Sequence, residues 1–339
     1  ISSIARNILG YWSLPSEPGT ADGTNNLIRV NDVQATTYYN HVVRLDHNIS
    51  PRHRVFGRFN TYERSSYYRD WFRSLATGGY QDWRQNAASF DDVYEVTPTT
   101  ILNVRYGFYR LLIDNYPKLE SLGFDPTKLG LPKNYSDAIP PDVRSFPYIT
   151  ISGYSGSQNG WWKYPHQNQS LEVHLTSIKG NHALKFGGDG RSYQMFQYEP
   201  QNSSSGQFDF GTTWTRGPMD NSPASPKGQG LATLLLGLPT GGGVDRKASF
   251  AEQSTVWSLY VHDDWRVTSK LTIDLGLRYE LEGPMTERFN RTVRGYDFQT
   301  ASPLESSVKA NYAKNPIAEI PASQLRLLGG LTFPGVGGQ

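Results

Sequence analysis

The residues of this chain whose types suit chemistry best are its histidines. They are His41, His47, His53, His166, His174, His182 and His262, and the first three are evenly spaced by six residues. No pair has the short spacing of a zinc motif. Two of the three evenly spaced histidines also flank or enter a turn. The sequence therefore predicts no metal site.

Two further patterns resemble catalytic motifs. Asp263 and Asp264 resemble a carboxylate pair for acid–base catalysis, but adjacent residues of a strand point to opposite faces and cannot serve one substrate. Residues 186–190 read FGGDG, which fits neither a Walker nor a dinucleotide-binding spacing, so these glycines are better explained by strand curvature. Cysteine is absent, which removes thiolate chemistry. We expect neither an enzyme nor a bound cofactor.

Aromatic side chains in two loops are a better candidate for binding. The candidate ligand-binding residues are Tyr67, Tyr68, Trp71 and Trp83 in one loop, and Tyr154, Trp161, Trp162 and Tyr164 in another. Beside basic residues such as Arg64 and Lys163, such aromatics bind sugars, peptides or organic ligands by stacking and hydrogen bonding. The alternative is that they pack the loops or lie at a lipid interface.

The elements that would position these loops are strands. In residues 255–282, alternate positions of the second half are apolar: Leu271, Ile273, Leu275, Leu277, Tyr279 and Leu281. This period of two cannot be a helical stripe. The same pattern predicts four hairpins, with turns near Pro51, Pro98, Gly180 and Ser269.

Composition excludes two other classes of protein. Lys plus Arg is 33 against 31 for Asp plus Glu, and no basic stripe is visible, so nucleic acid is not expected as a partner. No run approaches the roughly 18 apolar residues of a membrane-spanning helix. A helical membrane protein is therefore excluded.

The connections alternate in length. The four turns are tight, whereas the segments between hairpins range from roughly 20 to more than 60 residues, and the connection 113–165 is long enough to indicate function or disorder. A soluble antiparallel sandwich has the same alternation of side chains. Strand patterns of about ten residues and aromatics near strand ends favour an outer-membrane barrel.

The predicted fold class is all-β: an antiparallel up-and-down transmembrane β-barrel segment, incomplete and therefore a curved open sheet, with long extracellular loops. Residues 1–37 are predicted to be a loop-rich lead-in, residues 38–291 the barrel strands and loops, and residues 292–339 a truncated Pro/Gly/Ser-rich loop region. We expect no separate second domain. Because the chain does not begin with Met and ends in a Gly-rich stretch, we expect a fragment.

Four segments together resemble TonB-dependent outer-membrane receptors. They are SLYVHDDWRVTSKLTIDLGLRYELEGP (258–284), SIKGNHALKFGGDGRS (177–192), YNHVVRLDHNISPRHRVFGRFNTYE (39–63) and GQGLATLLLGLP (228–239). The set is most similar to the Oar-like receptors, which carry a carboxypeptidase-regulatory-like domain. A barrel of this family has about 22 strands, whereas eight are evident here.

The resemblance implies a function in the bacterial outer membrane. The chain is expected to be the barrel part of a receptor that imports or passes a bulky ligand, an oligosaccharide, a peptide or a metal chelate. Its implied partners are outer-membrane lipid and the TonB complex, the latter through a plug domain that is not present in this chain. A secreted soluble all-β module that binds through the same aromatic loops is the alternative, and a passive porin is a third possibility.

Overall fold

A computed structural model describes residues 1–15, 19, 34–157, 160–199, 203–216, 229–246 and 249–334. In chain order its strands are β1 (Thr36–Ser50), β2 (His53–Tyr68), β3 (Gly79–Thr97), β4 (Thr100–Pro117), β5 (Tyr148–Ile151), β6 (Trp162–Lys179), β7 (His182–Gln197), β8 (Gln207–Phe210), β9 (Gly241–Gly243), β10 (Phe250–Thr268), β11 (Leu271–Glu282), β12 (Thr286–Glu287), β13 (Gly295–Ala301) and β14 (Leu328–Thr332). The α-helices are α1 (Ser3–Leu9), α2 (Lys133–Asp137), α3 (Gly230–Leu236) and α4 (Glu305–Tyr312), and short 3-10 helices span Leu119–Ser121, Pro126–Leu129 and Pro141–Val143. None of the described helices has the length and apolar character needed to cross a bilayer.

The main element is one antiparallel sheet in the order β1-β2-β3-β4-β6-β7-β10-β11, with β12 also pairing with β10. Each neighbouring pair runs antiparallel. The four predicted hairpins are β1–β2, β3–β4, β6–β7 and β10–β11, and all four are confirmed. Among the described residues β1 and β11 each pair along one side only, so the sheet is open. The all-β fold class is confirmed.

The strands are longer than the sequence pattern predicts. The eight strands in the order β1-β2-β3-β4-β6-β7-β10-β11 contain 12 to 19 residues. The segment 63–85, which carries the first set of loop aromatics, contains the end of β2 and the start of β3. Likewise β4 continues to Pro117 and β6 begins at Trp162, which shortens the predicted connection 113–165. In these end segments both faces carry aromatic and polar residues. The hydrophobic period therefore fades although the hydrogen-bonded ladder continues.

The exposure of apolar and charged side chains on the two faces of the sheet is the reverse of that in a soluble protein. On one, the apolar face, Trp257, Leu259 and Leu277 are 61%, 68% and 72% exposed. On the other, the polar face, Asp91 and Asp189 are buried. Soluble proteins bury large apolar side chains and expose charges, whereas a barrel wall turns its apolar side to hydrocarbon.

Buried charges on the polar face are paired between strands. The carboxylate of Asp91 accepts hydrogen bonds from Nε of Arg105 at 2.6 Å and from Nδ2 of Asn103 at 2.8 Å. Asp189 accepts a hydrogen bond from Nη2 of Arg278 at 3.1 Å and also pairs with Nε of Arg191 at 2.8 Å. A slip of one residue would move these charges to the apolar face, so the pairs fix the register.

The apolar face has a shallow depression at two glycines of β7. A Cβ atom on Gly188 would lie 2.7 Å from Cδ2 of Leu259, and one on Gly190 would lie 2.6 Å from the ring of Trp257. The register places Leu259 opposite Gly188 and Trp257 opposite Gly190. Glycine at these two positions lets the neighbouring side chains lie close to the backbone.

A second structural unit lies outside the sheet, at the end where the long loops connect the strands. We call it the cap: residues 1–15, 69–78, 118–157, 203–216 and 229–246. Its core is the described cluster of buried hydrophobic residues, namely Ala5, Ile8, Phe72, Ala76, Phe124, Leu129, Phe146, Ile149, Ile151, Phe210 and Leu234. A small sheet of β5, β8 and β9 and the helix α3 lie within it. The predicted long connection is therefore largely ordered and packed.

We expect a charge on the apolar face to be more costly than a charge on the polar face of the same strand. Leu277→Lys should lower the free energy of unfolding by about 2–4 kcal/mol in lipid vesicles, because the ammonium would lie in hydrocarbon. The matched control is Thr272→Lys on the polar face of β11, which should change stability far less. Urea unfolding followed by tryptophan fluorescence measures both, and equal losses would contradict the assignment of the faces.

Candidate functional site

The strand ends beside the cap bring polar and aromatic side chains together on the polar face. The residues are Arg64, Tyr68, Gln81, Trp83, Asn115, Trp162 and Tyr164, which we call the mouth cluster. Arg64 is paired with Trp83 across β2 and β3, and Asn115 is paired with Trp162 across β4 and β6. No β-bulge interrupts these strand pairs beside the cap, so the side chains of the mouth cluster lie on the same face of β2, β3, β4 and β6.

Specific contacts order the mouth cluster. The guanidinium carbon of Arg64 lies 4.5 Å from the ring centroid of Trp83, and Nη2 of Arg64 donates to Oε1 of Gln81 at 2.7 Å. The rings of Trp162 and Tyr164 stack with centroids 5.0 Å apart. A guanidinium on an indole and a stacked ring pair form a rigid amphipathic surface.

Asn115 connects β2 to the segment that immediately precedes β6. Its Oδ1 accepts a hydrogen bond from the hydroxyl of Tyr68, and its Nδ2 donates to the carbonyl of Gly160 at 2.8 Å. Both ends of the amide are therefore used, which fixes the orientation of Tyr68. A movement of the segment at Gly160 would therefore shift Asn115 and, through it, the ring of Tyr68.

Two donors in the mouth cluster have no acceptor. Among the described residues, Nε of Arg64 and Nε1 of Trp83 are buried without a hydrogen-bond partner. A buried unsatisfied donor is costly, so these atoms favour a site that is completed by a polar group from elsewhere. They give the mouth cluster unused capacity for a hydrogen-bonding ligand.

The structure separates the eight predicted ligand-binding aromatics into groups. Tyr68, Trp83, Trp162 and Tyr164 belong to the mouth cluster, as described above. Tyr67 lies on the opposite face of β2, where its ring packs 5.0 Å from that of Tyr80 and its hydroxyl donates to Asp70. Adjacent residues of one strand are thus divided between the faces.

The other three aromatics lie in or next to the cap. Trp71 and Tyr154 pack against the buried cluster of the cap, and Nε1 of Trp71 donates to the carbonyl of Gly156 at 3.2 Å. Trp161 contacts Tyr198 edge-on, with ring centroids 6.4 Å apart. Trp71 and Tyr154 therefore contact the packed core of the cap, and a ligand-binding role for them stays a prediction.

Gln81 and Asn115 of the mouth cluster are absent from the sequence-based set. They carry no aromatic signal, and their alignment with the aromatics depends on pairing between strands more than ten residues apart. An alternation continued through residues 63–85 would have placed Gln81 and Trp83 on one face, because they differ by two positions.

The adjacent carboxylates of β10 serve opposite faces, as predicted. Oδ2 of Asp263 lies 2.7 Å from Nδ1 of His182, whereas Asp264 contacts Nε2 of His262 at 2.6 Å and Nζ of Lys185 at 3.2 Å. Ligand atoms of His262, Asp264 and Asp274 lie within 4.8 Å of one another, a convergence that the sequence pattern did not indicate. The Lys185 ammonium already compensates the Asp264 carboxylate.

Electrostatics also stabilise the cap. Hydrogen bonds from the backbone N–H and hydroxyl of Thr127 and from the hydroxyl of Ser136 lower the pKa of Asp125 to about 2. Burial raises the pKa of Tyr135 to about 12, and its hydroxyl donates to the carbonyl of Ser205 at 3.1 Å. Asp125 therefore joins two short helices, and Tyr135 joins them to the segment before β8.

A family model identifies the family of this chain. The family model described as "Outer membrane beta barrel domain" matches residues 1–339. Among solved structures, the closed form of the ferric-catecholate import receptor Fiu from E. coli K12 is similar, with 10% sequence identity and a TM-score of 0.40. The match covers 89% of this chain and 39% of that receptor. No curated protein matches the chain significantly.

Acid should loosen the cap through Asp125. A carboxylate with a lowered pKa contributes stability above its unfolded pKa of about 4, and the contribution is lost as the pH falls toward 2. We expect the hydrogen-exchange protection factors of residues 119–137, which correct for the intrinsic pH dependence of amide exchange, to fall over that window, and Asp125→Asn to lower them already at pH 7. Asp137→Asn, which removes an exposed ion pair with Lys133, is the control and should have little effect. Equal exchange rates in the two variants at pH 7 would contradict the role of Asp125.

Proposed function

This chain belongs to the outer membrane beta barrel domain family, and from that premise we propose that it forms the wall and mouth of a receptor that imports a bulky ligand. The chain lies in the bacterial outer membrane. The observation that supports a receptor is the mouth cluster, where stacked rings and unsatisfied donors lie together on the polar face beside the cap.

The exposed apolar face argues against the soluble alternative. A secreted β-sandwich covers the apolar face of one sheet with a second sheet. Here Leu259 and Leu277 are 68% and 72% exposed, and the buried hydrophobic cluster of the described residues lies in the cap instead. A surface of this kind in water is an aggregation site, whereas in a bilayer it contacts lipid.

A passive porin is less well supported than a receptor. A porin needs an open, water-filled lumen, and its polar face has no need of ordered aromatic pairs. Stacking of Trp162 on Tyr164 and of Arg64 on Trp83 suits a ligand that is held before it passes. The ligand classes with matching chemistry are an oligosaccharide, a peptide or a metal chelate.

The finer proposal is a TonB-dependent receptor of the Oar-like type, supported by the sequence segments that resemble this family. In that mechanism, loops and mouth cluster capture the ligand, and a plug is then displaced by TonB with energy from the inner-membrane proton gradient. This chain would supply wall and loops, while the plug would come from another part of the protein. Catalysis has no role in the mechanism.

We expect the mouth cluster to bind one of three probes: maltoheptaose, a decapeptide or a ferric catecholate. Trp83→Ala and Trp162→Ala should each weaken that probe by about tenfold, because loss of one stacked ring removes about 1 kcal/mol or more. Trp257→Ala, on the apolar face, is the matched control and should leave affinity unchanged. Calorimetry in detergent micelles measures all four proteins.

Failure of all three probes to bind, or an equal loss in Trp257→Ala, would contradict a ligand site at the mouth. The TonB-dependent type is tested separately by sequencing the coding region on both sides of this segment. A plug domain and a TonB box upstream are expected. An intact gene without them would favour a porin.

A further inference from the structure

A row of polar side chains crosses the apolar face near the ends of the strands beside the cap. Each of five neighbouring strands contributes one residue in direct register: Arg110, Gln167, Gln194, Gln253 and Thr286. Nε2 of Gln167 donates to Oε1 of Gln194 at 3.1 Å, and Nε2 of Gln194 donates to Oε1 of Gln253 at 3.1 Å. We call this ladder the amide row.

An apolar groove of about 650 Å³ begins next to the amide row, on the side facing the short turns. Its floor is the backbone at Gly188 and Gly190, and its walls include Leu171, Val173 and Trp257. The groove lies on the face that contacts hydrocarbon, so its natural occupant is an acyl chain. Its length runs along the strands, which is the direction of a chain in a bilayer.

A polar pocket of about 470 Å³ lies on the cap side of the groove and contains the amide row. Arg110 and Arg288 line this pocket and are exposed. Within the described residues neither arginine has a carboxylate partner. The register puts Glu252, which also lines the pocket, on the polar face opposite to Gln253.

The carboxylate next to Arg288 is fully engaged elsewhere. Glu287 accepts from Nη2 of Arg291 at 2.7 Å and from the backbone N–H groups of Ala251, Phe289 and Arg291. The Arg291 guanidinium and these N–H groups lower the pKa of Glu287 to about 2. Glu287 therefore does not neutralise Arg288, whose backbone N–H is itself fixed to the carbonyl of Ala251 at 2.9 Å.

We propose that this surface binds a phosphorylated glycolipid of the membrane leaflet on the long-loop side. An acyl chain occupies the groove over Gly188 and Gly190, sugar hydroxyls pair with the amide row, and phosphates contact Arg110 and Arg288. Guanidinium groups bind phosphate with paired hydrogen bonds, and basic pockets on membrane proteins bind lipid headgroups.

The width of the site favours a glycolipid over a simple phospholipid. Four strand spacings separate Arg110 from Thr286, which is about 19 Å at roughly 4.8 Å each. The backbones that carry the two arginines are therefore far apart, and a phosphorylated disaccharide carrying several acyl chains covers that width more fully than one phosphodiester headgroup does. The amides of Gln167, Gln194 and Gln253 also offer donors and acceptors that suit hydroxyl groups.

The test uses the full chain in detergent micelles and measures retained lipid by native mass spectrometry. Three lipids are added: a bis-phosphorylated lipid A-type glycolipid, phosphatidylglycerol and phosphatidylcholine. We expect the wild type to retain the glycolipid. The double variant Arg110→Gln/Arg288→Gln should weaken its retention about 25-fold, because the loss of each surface cation weakens lipid binding about fivefold. Val173→Phe, which fills the groove without adding charge, should also weaken it.

The matched control is Arg52→Gln/Arg266→Gln, which removes two exposed arginines at the short-turn end of the strands. It should retain the glycolipid like the wild type. Circular dichroism verifies strand content in each variant before lipid is added. Equal retention by wild type and Arg110→Gln/Arg288→Gln would overturn the proposal. So would retention of phosphatidylglycerol as tight as that of the glycolipid, or an equal loss in the control.

Discussion

A backbone amide or carbonyl in hydrocarbon has no water with which to replace a lost hydrogen bond, and this constraint governs the whole chain. Every interior strand of the main sheet is paired on both sides over most of its length. Within the described residues β1 and β11, the two ends of the eight-strand order, each pair along one side only. A wall of this kind must be completed by other strands, because an exposed edge in lipid would leave a row of unsatisfied groups.

The ladder determines the rest of the structure because it transmits side-chain parity from strand to strand. Once Leu259 faces lipid, its partners Gly188 and Tyr279 must face lipid as well. The same logic buries Asp189 with Ser258 on the polar face. Charged pairs and apolar exposure are therefore two results of one register, and a change of register would destroy both at once.

The hairpin 255–282 and the opposite orientations of Asp263 and Asp264 could be predicted because they follow from the period of two alone. The split between Tyr67 and Tyr68 could not, because the apolar signal fades where β2 leaves the hydrophobic band. The amide row was also invisible, since Gln167, Gln194 and Gln253 become neighbours only through pairing of three strands. The local alternation of residues predicts which face of the sheet a side chain occupies. Which side chains of different strands become neighbours depends on the pairing register.

The chain divides its hydrophobic residues between two different environments. Those of the sheet are stabilised by lipid, whereas Phe146, Leu129 and Leu234 of the cap are completely or almost completely buried in protein. The cap has its own buried core, and it is tied to the strands through the hydroxyl of Tyr67 in β2, which donates to Asp70 of the cap. The mouth cluster lies where these two units meet. A ligand that accepts hydrogen bonds from the unsatisfied donors of the mouth cluster would therefore bind where the cap meets the sheet. Binding at that place could couple ligand capture to ligand passage.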